Sequence, residues 1–179
     1  LLLYVLLKSG PRADLARFPA GRMVLGAVGL LLLATWNVRL ALRGPHCAGA
    51  APARALGWAA LAALVTASWA AIPAPYPQDP ALCFATPLGM ALECFAVGCG
   101  LGLPVLAATL LLVRLSTAQA WLLGAAAAGL TGNLVLQVVC PIVDVDHLIA
   151  GHGSLATVFV LVAGAVAAAR RRLRARSER

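Results

Sequence analysis

The stretch Gln119-AWLLGAAAAGLTGNLVLQVV-Cys140 decides the fold, because it has no charged residue over its whole length and is long enough to cross a bilayer as one helix. Spanning the hydrocarbon takes about 20 apolar residues, since every backbone N–H and C=O must find its partner inside the segment. Outward from it the pattern repeats. Cys94–Val113 is free of charge, as is Ser154–Ala169, which has room to begin as early as Leu148. Ala55–Pro73 carries no charge and Met23–Leu42 none until Arg39.

The opening Leu1-LLYVL-Leu7 reads as the end of a further helix. Seven residues reach only about 10 Å at helical rise, too short to cross. A signal peptide would have a basic segment before it and a convincing small-residue cleavage site after it. The expectation is an all-α polytopic membrane helix bundle with six transmembrane helices in the intact protein. Spans fall at residues 1–7 (partial), 23–42, 55–73, 94–113, 119–140 and 154–169, with a basic tail at 171–179 and a cytoplasmic N-terminal segment ahead of the chain.

Composition agrees. Hydrophobic residues make up 62% of the 179 residues and charged ones 11%, with a mean hydropathy of +0.93. A water-soluble domain needs a polar surface that this chain cannot supply. The connector Pro73-APYPQD-Pro80 is proline-rich and extended, not a domain. Pro104 should kink its helix, while Gly98 and Gly102, and Ala125, Gly129 and Gly132, offer smooth faces for close neighbours and permit a homodimer.

The 14 basic and 6 acidic residues set the orientation. With the C-terminus cytoplasmic, the inner side receives Arg39, Arg43, Arg54, Arg114 and the tail from Arg170 to Arg179. Asp14, Asp79, Glu93, Asp144 and Asp146 then fall outside, with Lys8, Arg12, Arg17 and Arg22 as the dissenting group. The arginine tail reads as a topology determinant that touches anionic membrane lipid, and not as a direct nucleic-acid site. The expected location is the bacterial inner membrane.

The chemistry concentrates in Cys140-PIVDVD-His147-LIAG-His152, which packs a thiol, two carboxylates and two imidazoles into one link between apolar segments. Cys94 and Glu93 lie at the outer mouth of the span 94–113, Cys140 at the outer end of the span 119–140, and Cys83 in the outer loop before Glu93. Thiols on an oxidising outer face end up bridged, metal-bound or reactive. Cys94 and Cys99 are five residues apart, about 140° beyond a full helical turn, so they point to different faces and Cys99 reads as packing. Zinc or another transition metal ion would accept Cys94, Cys140, His147 and His152 as tetrahedral ligands, with Glu93, Asp144 or Asp146 able to replace one. The bland alternative makes Asp144 and Asp146 solvated helix-capping acids and the histidines interfacial. The His46-Cys47 pair in the inner loop is read as incidental.

In this order the chain resembles the NrsF-like negative regulators of sigma factors, polytopic inner-membrane anti-sigma factors of bacteria. The resemblance rests on Pro11-RADL-Ala16, on the cysteine-led, proline-bearing segment Cys94-FAVGCGLGLPVLA-Ala108, on the basic turn at Arg114, and on a small-residue helix ending at Cys140-Pro141. It implies a protein that holds an alternative, extracytoplasmic-function type sigma factor at the membrane and releases it on metal or oxidative stress. Cys94 and Cys140 would be the redox-sensing pair. Val139 stands where that family often has a histidine, and the histidines here follow Cys140 instead, which favours a metal-bound form. The sigma-binding segment of that family is N-terminal and cytoplasmic, and is expected to precede this chain.

Two other classes follow from the same residues. A metal-dependent intramembrane hydrolase would use His147, His152 and an acid beside Ser154, but H-E-x-x-H and G-x-S-x-G are absent and the polar groups sit at one link. A haem or quinone protein would need histidines facing each other within the bilayer. A transporter would need charge at mid-membrane depth, which the spans lack. The expectation is a non-enzyme.

Overall fold

A computed structural model describes residues 20–42, 53, 57, 60–61, 64, 87–112, 118–140, 142 and 144–177. Among these the chain is all-helical. Helix α1 runs Ala20–Leu42, α2 Pro87–Leu112 and α3 Ala118–Val139. A short α4, Val145–His147, leads into a π-helix, Leu148–Gly153, which continues without a break into α5, Ser154–Ser177.

Four segments are long and apolar enough to cross a membrane: Met23–Leu42, Gly89–Leu112, Ala120–Val139 and Leu148–Ser177. Their outward faces carry large apolar side chains such as Leu25, Leu32, Leu103, Leu111 and Leu161, all more than half exposed. Lipid solvates such a surface, whereas water would drive it to associate. The expected spans 55–73 and 1–7 lie mostly or wholly outside the described residues, so the sixfold count is not addressed by them.

Helix α3 is the hub. It packs against α1, α2 and α5, and 67% of its most apolar window is buried, against 28% for α1 and α2. The reason lies in its run of small residues. Ala125, Ala126, Ala127 and Ala128 are fully buried, and a side chain at Gly132 would collide with the backbone of Gly98 on α2. Gly129 meets the backbone of Ala156 on α5 in the same way. Lipid would supply no hydrophobic force to draw such helices together, and this backbone-to-backbone approach supplies the dispersion energy that a bundle needs there. The smooth faces read from Gly98, Gly129 and Gly132 are therefore the helix–helix contacts of the structure.

Two helix limits differ from the apolar runs. Helix α2 starts at Pro87, about two turns before Cys94, because Glu93 is accommodated on an exposed face inside the helix instead of ending it. Helix α5 carries on through Arg170, Arg171 and Arg172 to Ser177, since arginine is a good helix former and its charge is free to reach water. Arg170 sits over the ring of Trp121 at the first turn of α3, 5.3 Å from its centroid. Helix α2 continues through Pro104, which is exposed.

Candidate metal and thiol centre

Four side chains from three parts of the chain meet where α2, the end of α3 and the π-helix come together. Cys94 comes from the start of the third turn of α2, Cys140 from the residue that closes α3, His147 from α4 and His152 from the π-helix. One ligand atom from each lies within 4.8 Å of all the others. Cys140, His147 and His152 are buried and Cys94 is partly so. The donors thus converge on one point, although the sequence places three of them in one link.

Local structure explains each placement. The Cys140 N–H donates to the Leu136 carbonyl at 2.8 Å, which keeps the cysteine on the last turn of the hub helix. Asp144 then caps the next helix: its Oδ1 accepts from the N–H groups of Asp146 and His147 at 3.0 and 3.1 Å, and its carbonyl accepts from Leu148 N–H at 2.9 Å. This N-cap satisfies donors that a helix start otherwise leaves unpaired. It fixes where His147 begins its turn.

The π-helix does the rest. On an α-helix His147 and His152 would diverge by about 140°, by the same arithmetic that separates Cys94 from Cys99. A π-helix pairs each N–H with the carbonyl five residues back, so residues five apart fall on the same side of the helix. The Ser154 N–H reaches the Ile149 carbonyl in this pattern. His147 and His152 consequently touch, their ring centroids 5.3 Å apart and their planes inclined at 67°. Gly151 lets this tight segment lie on α2: a Cβ there would stand 3.0 Å from the Ala91 carbonyl oxygen and 3.4 Å from Cys94 Cβ.

The distances suit a tetrahedral ion. With Zn–S of about 2.3 Å and Zn–N of about 2.0–2.1 Å, tetrahedral ligands sit about 3.8 Å apart for two sulfurs and about 3.6 Å for sulfur and nitrogen. Cys94 Sγ lies 3.6 Å from Cys140 Sγ, and Cys140 Sγ lies 3.3 Å from His147 Nε2. The thiols are not bridged, but the Cys94 thiol already points at Cys140 Sγ. His147 Nδ1 and both ring nitrogens of His152 are buried and make no hydrogen bond among the described residues. Buried polar atoms normally have partners, and leaving one without costs about 1–3 kcal/mol. An ion would pair His152 through one nitrogen. The usual carboxylate or carbonyl behind a ligating histidine is absent for His147 Nδ1 among the described residues.

Glu93, Asp144 and Asp146 are exposed and stand outside this group of four. Asp144 is occupied in capping, as the solvated-acid reading had it. The histidines, by contrast, are each only 1% exposed. Cys99 is half-buried and packs against the core. Cys47, His46 and Cys83 lie outside the described residues. Sequence reasoning missed the two asparagines buried in the spans, Asn37 and Asn133. Asn37 Nδ2 donates to the Leu33 carbonyl one turn back, at 2.8 Å. Their signal was a carboxamide in an otherwise apolar run.

Comparison with known proteins adds no relative: no family model, curated protein or solved structure matches the chain. The function is therefore argued from this site and from the apolar helices around it.

Proposed function

We propose that the chain is a multi-pass inner-membrane sensor, with Cys94, Cys140, His147 and His152 as its input and sequestration of an alternative sigma factor as its output. The observation that carries the sensor half is the convergence of four donors within 4.8 Å in a bundle of apolar helices. Two thiolates and two neutral imidazoles make a borderline-soft donor set that suits zinc or a neighbouring d-block ion. Zinc with two thiolates is also electrically neutral. Burial of a net charge at such a place would cost several kcal/mol, so neutrality favours the divalent ion.

The output half rests on the resemblance of the Cys94–Ala108 segment, the Arg114 turn and the helix ending at Cys140 to the NrsF-like regulators. In this reading Cys94 ties α2 to Cys140 on α3. A change at the pair, by loss of the ion or by oxidation of the thiols, alters how the two helices are fastened. Only a difference in affinity between two arrangements can shift their balance, and structural zinc–thiolate sites bind strongly enough to supply it. Arg170–Arg179 would lie on the cytoplasmic side, near anionic lipid.

A site with four protein ligands suits structural or sensing metal better than hydrolysis, because a catalytic zinc keeps a coordination position open for water or substrate. The hydrolase alternative through His147 and His152 loses ground for that reason.

The test is a pull-down of the intact protein from detergent-solubilised membranes of its host, before and after a zinc or oxidant challenge. A sigma factor that co-purifies and is lost on challenge supports the reading. A protein free of sigma factor in both conditions removes the output half.

A further inference from the structure

One segment among the described residues departs from α-helical winding. It occupies Leu148–Gly153 between α4 and the long α5, and it holds the rings of His147 and His152 against each other in a buried place. Three of their four ring nitrogens have no hydrogen-bond partner among the described residues. Such an arrangement is costly unless something binds those nitrogens. A π-helix is itself an α-helix carrying one residue too many for its turn, and such segments occur mostly at functional sites.

We propose that ion binding and the winding of residues 148–153 are one equilibrium: the loaded site holds this segment as π-helix, and the empty site lets it rewind as α-helix. The proposal rests on the metal-sensing reading above and names how that site is read out. Helix α5 is the fixed partner, since Leu155, Ala156, Val160 and Ala163 are buried and Ala156 lies against Gly129. Rewinding against a fixed α5 turns the residues ahead of it by roughly 100° and moves them by roughly 1.5 Å along the axis, the share of one residue in an α-helix. His147 then leaves His152 and the two cysteines. Gly151, which presses on Ala91 one turn before Cys94, changes its seat on α2. A change in the site would reach α2 by this route even while both thiols stay reduced.

The two windings carry different ligand geometry, and that gives the test. In the α register the histidines are five residues apart and diverge. Deletion of Ala150, an exposed residue of the π-helix, brings them to a four-residue spacing that faces one side of an α-helix. The shortened chain has no surplus residue to store.

The experiment uses the full chain in lipid nanodiscs with genetically encoded, non-thiol spin labels at Ile149 on the π-helix and Leu32 on α1, both exposed. Distances are measured with zinc chloride and with a chelator, and zinc affinity is measured by competition. The expected result is a zinc-dependent shift of the label distance by roughly 5 Å in the native sequence, given a helix about 10–12 Å across. In the Ala150 deletion, zinc should bind within about tenfold of the native affinity with no shift. Zinc binding without a shift in the native sequence overturns this proposal and leaves the site standing. A folded Ala150 deletion that loses zinc overturns the register argument, and a native protein that binds no zinc overturns both the site and the switch. Should the deletion fail to fold, the native distance pair still decides.

Discussion

Cys94 Sγ and Cys140 Sγ lie 3.6 Å apart, although they stand 46 positions apart and come from α2 and from the residue that follows α3. The contact is possible because Gly132 lets α3 lie backbone to backbone on Gly98, one turn beyond Cys94. Close packing in the middle of the bundle thus sets the distance between two thiols nearer its end.

That relationship predicts selective oxidation. Treatment of the reduced protein with diamide should join Cys94 to Cys140, the two thiols giving up two hydrogens to the azo group, while Cys99 stays free. Peptide mass spectrometry reads the bridge. Prior loading with zinc should slow its formation by at least about tenfold, since a coordinated thiolate is withheld from the oxidant.

The donor set predicts a hierarchy of substitutions. Cys94→Ser, Cys140→Ser, His147→Ala and His152→Ala should each weaken zinc binding by more than about 100-fold, beyond the 10–100-fold typical of residues that only support ligands. Glu93→Gln and Asp146→Asn should leave affinity within about threefold, as both side chains stand outside the group of four. Competition with a chromophoric chelator measures both sets.

Asp144 should act on stability, not directly on the ion. Asp144→Ala removes the acceptor for two backbone N–H groups and should cost about 1 kcal/mol, whereas Asp144→Asn keeps an acceptor and should cost little. Thermal unfolding in detergent distinguishes the pair.

Helix packing gives two glycine substitutions of opposite sign. Gly132→Val places side-chain atoms against the Gly98 backbone, which cannot yield, and should destabilise the bundle by about 1–3 kcal/mol. Gly100, on the same helix as Gly98, has open space where a Cβ would go, so Gly100→Ala should stabilise by about 0.5 kcal/mol. A lower Tm for the first and a higher one for the second is the expected pattern.

The long apolar helices were legible because an apolar run of about 20 residues is a one-dimensional pattern that can be read along the chain. Met23–Leu42 and Ala120–Val139 follow it closely. Ends were less legible. Glu93 looked like a boundary and proved to be an exposed residue within α2, while the arginines after Ala169 extend α5 instead of closing it. The four ligand candidates were named together from their residue types and their place at one end of the spans, and they are the four the structure brings together. What the sequence did not explain is how His147 and His152 share a site, because a spacing of five gives no shared face under α-helical geometry. The π-helix removes that objection, and its trace in the sequence is limited to Gly151 and Gly153 on either side of His152. The carboxylates near the cysteines were read two ways, as replacement ligands or as capping acids, and proximity in sequence did not decide between them; the backbone engages Asp144 as a cap.

The most direct test of the central claim is zinc-edge X-ray absorption on the purified, zinc-loaded protein. One ion per chain is expected, with two sulfur ligands at about 2.3 Å and two nitrogen ligands at about 2.0–2.1 Å, and one sulfur fewer in Cys94→Ser. A shell of oxygen and nitrogen alone, or a protein that takes up no ion, would contradict it.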